Sequence, residues 1–163
     1  MIVVGGTYRE YCYTPRLDVI LGSGLRAAAA LSSAEPGLGF HSGIALTLRS
    51  EAAACARAYG LHADWFLRTE DVSFEYHTPL SPPRVRNPDS RLEEAPTIEE
   101  DDALVFGMLE GTPTVRCNRM VLDPQQPVGL MSLPLDVSGC SEVVVVANER
   151  EMRQLGEAQD IRT

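Results

Sequence analysis

The chain has 163 residues and a formal net charge of −9, with 44% hydrophobic and 23% charged residues. That is enough for one domain with a real core, and the acidic balance argues against a nucleic-acid surface, which needs a basic patch or stripe. All 14 basic residues are arginine, which excludes lysine chemistry such as a Schiff base or a Walker-type phosphate lysine.

Along the chain, Ile2, Val3 and Val4 read as a short strand ending in Gly5-Gly6. Residues 7–13 are rich in β-formers, and Leu21-Gly22-Ser23-Gly24 reads as a glycine turn. The alanine-rich stretch 25–31 predicts a compact helix, since small residues let a helix lie close to a sheet or a ligand. Residues 37–44 read as a second long strand. Residues 50–59 predict a helix with Ser50 as its N-cap and Gly60 ending it. Residues 63–68 and 72–77 are β-like. Five prolines between 78 and 96 (Pro79, Pro82, Pro83, Pro88 and Pro96) predict an irregular excursion. The acidic run Glu99-Glu100-Asp101-Asp102 precedes a buried strand at 103–106. A further strand at 119–122 ends in Asp123-Pro124, and Pro134 to Asp136 lead toward the last one.

That last strand carries four consecutive valines, 143–146, which predicts burial on both faces as in parallel sheets. It delivers Asn148 and Glu151 to its carboxyl end, where open α/β sheets bind ligands. The same pair is also an ordinary capping box. Alternating strands and helices make the fold class α/β, with a mostly parallel sheet.

Cys12, Cys55, Cys117 and Cys140 form no Cys-x-x-Cys pair. The first residues lack a basic region and a long apolar stretch, so reduced thiols in a cytoplasmic protein are expected. No segment approaches the length of a membrane span. His41, His62 and His77 have no close-spaced partner for a metal site.

Taken together, the Gly-Gly strand end, the glycine turn into an alanine-rich helix, the strand ending in Asp123-Pro124 and the strand ending in Asn148-x-x-Glu151 resemble the first part of a ribokinase-like (PfkB-type) carbohydrate kinase. The resemblance covers nearly the whole chain but about half of such a kinase. It implies a three-layer ribokinase-like fold over 1–163 with a small β lid near 5–15 and 63–80, the C-terminal ATP-binding half being absent. It implies transfer of a phosphoryl group from ATP to a hydroxyl of a sugar, nucleoside or related small molecule. Gly5, Gly6, Gly22, Gly24 and Arg26 would face the substrate, Asn148 and Glu151 would position ATP, and Glu151 would position Mg2+. Arg26 stands where the family has asparagine; an arginine there suits a substrate carrying phosphate or carboxylate. The family's turn D-T-x-G-A-G-D, which supplies the catalytic aspartate, has no match in the 163 residues. The chain alone is therefore expected to be inactive as a kinase, needing completion by further sequence or a complementing chain. A homodimer is allowed by the resemblance. The alternative expectation is a catalytically inactive ligand-sensing or regulatory module.

Overall fold

The computed structural model describes residues 1–94, 96–125, 137 and 139–156. At its centre is β1 (Ile2–Val4), three fully buried aliphatic residues with no solvent on either face. After it come β2 (Arg9–Cys12) and β3 (Leu17–Ile20), then α1 (Gly22–Leu31), β4 (Gly39–Ile44), α2 (Arg49–Ala58) and β5 (His62–Leu67). β6 (Ser73–Tyr76) and β7 (Arg84–Arg86) follow, then β8 (Thr97–Phe106), β9 (Thr114–Asp123), β10 (Glu142–Val145) and α3 (Glu149–Gly156).

Six strands form one sheet in the order β10-β9-β8-β1-β4-β5, and every pairing in it is parallel. The chain passes from β1 to β4 on one side, and later returns as β8 on the other. The order of the sheet therefore reverses between β1 and β8, which makes their carboxyl ends a topological switch point. The remaining strands form a second sheet, β3-β2-β6-β7. β2 is antiparallel to β3 and parallel to β6.

The two faces of the large sheet are covered differently. On one, Val3, Phe40 and Ile44 pack with Leu25 and Ala28 of α1 and Ala52 and Ala56 of α2. On the other, Ile2, Val4, Val105, Met120 and Leu122 cluster with Ile98, Val115 and Cys117. Those last three belong to the first halves of β8 and β9. The link between these parallel strands, residues 107–113, is shorter than the dozen or more residues such a connection takes. Ile98, Val115 and Cys117, in the first halves of the strands, help cover this face. Glu99 and Asp102, part of the acidic run expected to precede the strand, instead lie within β8 opposite Arg116 and Arg119 of β9. These pairs neutralise two of its four carboxylates, and being exposed each adds little stability.

Several expectations are corrected. α2 begins at Arg49 after Leu48 with no side-chain cap, so Ser50 lies inside the helix. The Gly22-Ser23-Gly24 turn is the first turn of α1 itself. The proline-rich excursion contains β7, which pairs with β6. The strand over residues 63–68 belongs to the large sheet as β5, not to the small one. The last strand is not buried on both faces: among the described residues β10 pairs only with β9, and Val144 and Val146 are 47% and 53% exposed. An edge strand has neighbours on one side only, which four valines in a row do not reveal. Residues 134–136 lie outside the described residues. Among the described residues no helix is long and apolar enough to cross a membrane.

The approach of α1 to β1 is set by backbone contact. Gly24 N–H donates to Gly6 O at 3.1 Å, and a Cβ on Gly24 would lie 2.4 Å from the Gly5 carbonyl carbon. G24A is expected to push helix from strand and cost about 1–3 kcal/mol or more. Urea unfolding should show a lowered midpoint with an unchanged slope.

Candidate functional site

A cleft of about 540 Å3 opens at the carboxyl edge of the large sheet. Its walls come from the ends of three adjacent strands: Gly107 and Leu109 after β8, Asp123 and Gln125 after β9, and Val146 to Asn148 after β10. Tyr8 and Ser23 close it on the β1 side, and Phe74 reaches it from the small sheet. Parallel strands place all their carboxyl ends on one edge, so residues far apart in sequence converge there.

Asn148 and Glu151 form a reciprocal cap at the start of α3. Glu151 N–H donates to Asn148 Oδ1 at 3.0 Å, and Asn148 N–H donates to Glu151 Oε2 at 2.9 Å. Both side chains line the cleft. The capping box and the cleft wall are thus the same structure, and the helix start adds partial positive charge. Asp123, the strand-end aspartate, joins them. Burial, and after it the charge of Glu151, holds its carboxyl above the usual aspartate range, while the Gln125 amide hydrogen bond opposes this. The two carboxylates in a half-enclosed cleft could supply oxygen ligands to a hard divalent cation.

The glycines expected at the substrate pack against one another and against Tyr8. Gly5 and Gly24 touch backbone to backbone, Gly6 is covered by the Tyr8 ring, and Gly22, at φ +80, lies against Gly6 O. Ser23 between them is the residue that lines the cleft. Arg26 is exposed and bonded to both carboxylate oxygens of Glu10, at 2.8 and 3.0 Å. Glu10 also accepts the Gly22 N–H at 2.8 Å. Arg26 thereby ties β2 of the small sheet to the start of α1.

A second cluster, invisible in the sequence, lies beneath Tyr8. Arg68, just past β5, and Glu110, in the link after β8, are both fully buried and paired at 2.9 Å. Tyr8 O–H donates to Glu110 Oε2 at 2.7 Å, and its hydroxyl accepts Leu109 N–H at 3.3 Å. The Arg68 guanidinium stacks over the Tyr8 ring, 5.1 Å from its centroid. Burial, then the charge of Glu110, raises the Tyr8 hydroxyl well above its ordinary range, so it stays a neutral donor. A lone Arg after a strand and a lone Glu in a loop carry no pattern that would have paired them. Among the described residues no group of three or more His, Cys, Asp or Glu converges to hold a metal.

Solved structures share this fold. A pyrophosphate-dependent kinase in the ribokinase family, complexed with a pyrophosphate analogue and myo-inositol, superposes over 99% of the chain at a TM-score of 0.58 and 12% identity. The fold is ribokinase-like. A pyrophosphate-dependent myo-inositol-1 kinase converted into a myo-inositol-3 kinase matches at 0.57 and 13%, and a sulfate complex of a pyrophosphate-dependent kinase of the same family at 0.56 and 14%. Each covers 99% of the chain, which in turn spans 66%, 64% and 67% of their lengths. No family model and no curated protein matches the chain.

Two outcomes follow from these geometries. R68M leaves Glu110 buried without its partner and is expected to cost about 3–5 kcal/mol; R68M/E110Q should recover more than half of it in denaturant titrations. Asp123 has a folded-state affinity for its proton above that of the unfolded chain, so its ionisation opposes folding as pH rises above about 4. D123N should therefore melt higher than the parent at pH 7, with the difference vanishing below about pH 4, as thermal melts at the two pH values would show.

Proposed function

We propose that this chain provides the acceptor side and part of the donor side of a kinase that moves a phosphoryl group from a polyphosphate donor to a hydroxyl of a sugar, nucleoside or cyclitol. The observation that carries the reading is the cleft at the switch point, where Asp123 meets the Asn148–Glu151 cap. Phosphoryl transfer needs little covalent chemistry from the protein; positioning and charge neutralisation do most of it. Those are what a cation-fitting carboxylate pair and a helix start offer.

In this reading Asp123 and Glu151 would hold Mg2+, which, when bound, neutralises the donor phosphates. Asn148 fixes the Glu151 carboxylate through the reciprocal cap and orients the backbone N–H groups at the start of α3 toward the donor. The acceptor lies on the β1 side against Tyr8 and Ser23. Gly5, Gly6, Gly22 and Gly24 form the wall behind it by letting α1 approach β1. Arg26 borders the acceptor while bonded to Glu10, so it selects charge only by exchanging that partner. The small sheet, through Phe74, closes over the acceptor as a lid and excludes water, which competes as phosphoryl acceptor. The aspartate base of the related kinases has no counterpart in these 163 residues, so transfer itself draws on a residue outside them.

The donor is ATP or pyrophosphate; the pyrophosphate-dependent structures favour testing both. Calorimetry on the purified chain with Mg2+ should show binding of one of them, weakened roughly 10- to 100-fold by E151Q, the range seen when groups around a metal are altered. Myo-inositol and ribose should bind without Mg2+. Binding of neither donor, with or without Mg2+, would sink the kinase reading. Acceptor binding without donor binding would favour the ligand-sensing module.

A further inference from the structure

Two of the four cysteines meet across the sheet. Cys117 lies in β9 and Cys140 just before β10; they are 23 positions apart, yet their sulfurs are 3.7 Å from each other. The backbone holds them there. Ser141 N–H and Oγ–H both donate to Asn118 O at 2.8 Å, and the β9–β10 ladder begins immediately beyond, at Arg119 and Glu142. A disulfide requires the sulfurs to close to about 2.05 Å. Cys12 and Cys55 have no such neighbour in the described structure: Cys12 Sγ–H donates to Thr14 O at 3.5 Å, and Cys55 faces the α2 side of the core.

A groove of about 530 Å3 leads to Cys117, lined also by Gly139, Arg116, Glu99, Glu100 and Asp101. Arg116 is engaged by Glu99 at 3.2 Å, and Asp101 accepts only the neutral Asn118 amide among the contacts described, at 3.0 Å. The mouth of the groove is therefore negative. It repels an anionic oxidant such as glutathione disulfide and admits a neutral one.

We propose that Cys117 and Cys140 form a reversible disulfide site, oxidised by hydrogen peroxide that reaches Cys140 beside this groove, next to its lining residue Gly139. Burial, ahead of the hydrogen bond with Cys140, pushes the Cys117 thiol up to about 12, so at neutral pH it is a poor first nucleophile. Cys140, the more exposed thiol, reacts first. Its sulfur attacks one peroxide oxygen, the O–O bond breaks, water leaves, and Cys140 carries a sulfenic acid. The Cys117 sulfur then attacks the Cys140 sulfur; the S–O bond breaks, and the hydroxyl leaves as water with the Cys117 proton. Two thiols lose two hydrogens and one peroxide becomes two waters. The bond ties the entry of β10 to β9. Since β10 leads to the Asn148–Glu151 cap and, among the described residues, pairs only with β9, oxidation stiffens this wall of the cleft.

The test is to expose the purified chain to hydrogen peroxide or to glutathione disulfide at equal oxidising equivalents, alkylate the remaining thiols and map the peptides by mass spectrometry. The expected product links Cys117 to Cys140, forms faster with peroxide, leaves Cys12 and Cys55 alkylated and reverts with dithiothreitol. Amide exchange at residues 143–145 should slow, and the melting temperature should rise by several degrees. In C117S a dimedone-reactive sulfenic acid should accumulate on Cys140; in C140S none should form on Cys117. Oxidation starting at Cys12 or Cys55, a sulfinic acid on Cys140 with Cys117 still alkylable, or glutathione disulfide acting as fast as peroxide would each overturn the proposal. Neither result depends on whether the cleft binds a phosphoryl donor.

Discussion

The buried pair of Arg68 and Glu110 is the interaction on which the carboxyl edge of this molecule depends. Both side chains are out of water, a position tolerated only because the charges meet at 2.9 Å and Tyr8 bonds the second carboxylate oxygen. The pair joins the end of β5 to the link after β8, strands with two others between them in the sheet, and through Tyr8 to the stretch after β1. Gly43 makes room for it, since a Cβ there would lie 2.6 Å from Glu110 Oε1. Tyr8 then carries the constraint outward by packing on Phe74, with ring centroids 5.1 Å apart. The small sheet is thereby fixed over the edge where the cleft opens.

A second constraint works from the opposite side of the switch point. α1 lies on β1 through glycine backbone, and Glu10 ties the small sheet to the same helix through Gly22 N–H and Arg26. Ser42 Oγ–H to Thr7 Oγ1, at 2.9 Å and fully buried, locks the ends of β4 and β1 together. Few degrees of freedom remain at the β1 side of the cleft. The β10 side differs: among the described residues β10 pairs only with β9 and leads to a short helix held by its cap. The proposed reading sets the acceptor on the β1 side and the donor against this cap.

Composition and spacing made a good part of this legible. The short aliphatic strands, the alanine-rich helices and the alternation of the two specify an α/β sheet, because buried parallel strands need apolar residues on both faces and helices need small ones to lie close. Asn148 and Glu151 were readable because a cap is a local arrangement, complete within four residues. Asp123 was readable as a strand end but not as a neighbour of Glu151, which depends on β9 and β10 lying side by side.

What only the tertiary structure decided is which distant residues touch. Four valines in a row carry no mark of an edge strand, and glycines in a turn do not say whether the freed space admits a ligand or another backbone; here Gly24 admits Gly5. Arg26, within α1, and Arg68, just past β5, are the same residue type. One is exposed and bound to Glu10, and the other is buried against Glu110. The sequence by itself determined the local propensities, the apolar pattern and the cap, since these rest on neighbours along the chain. The cleft, the buried pair and the meeting of Cys117 with Cys140 arise from contacts between residues far apart in sequence, and strand order and register decide those.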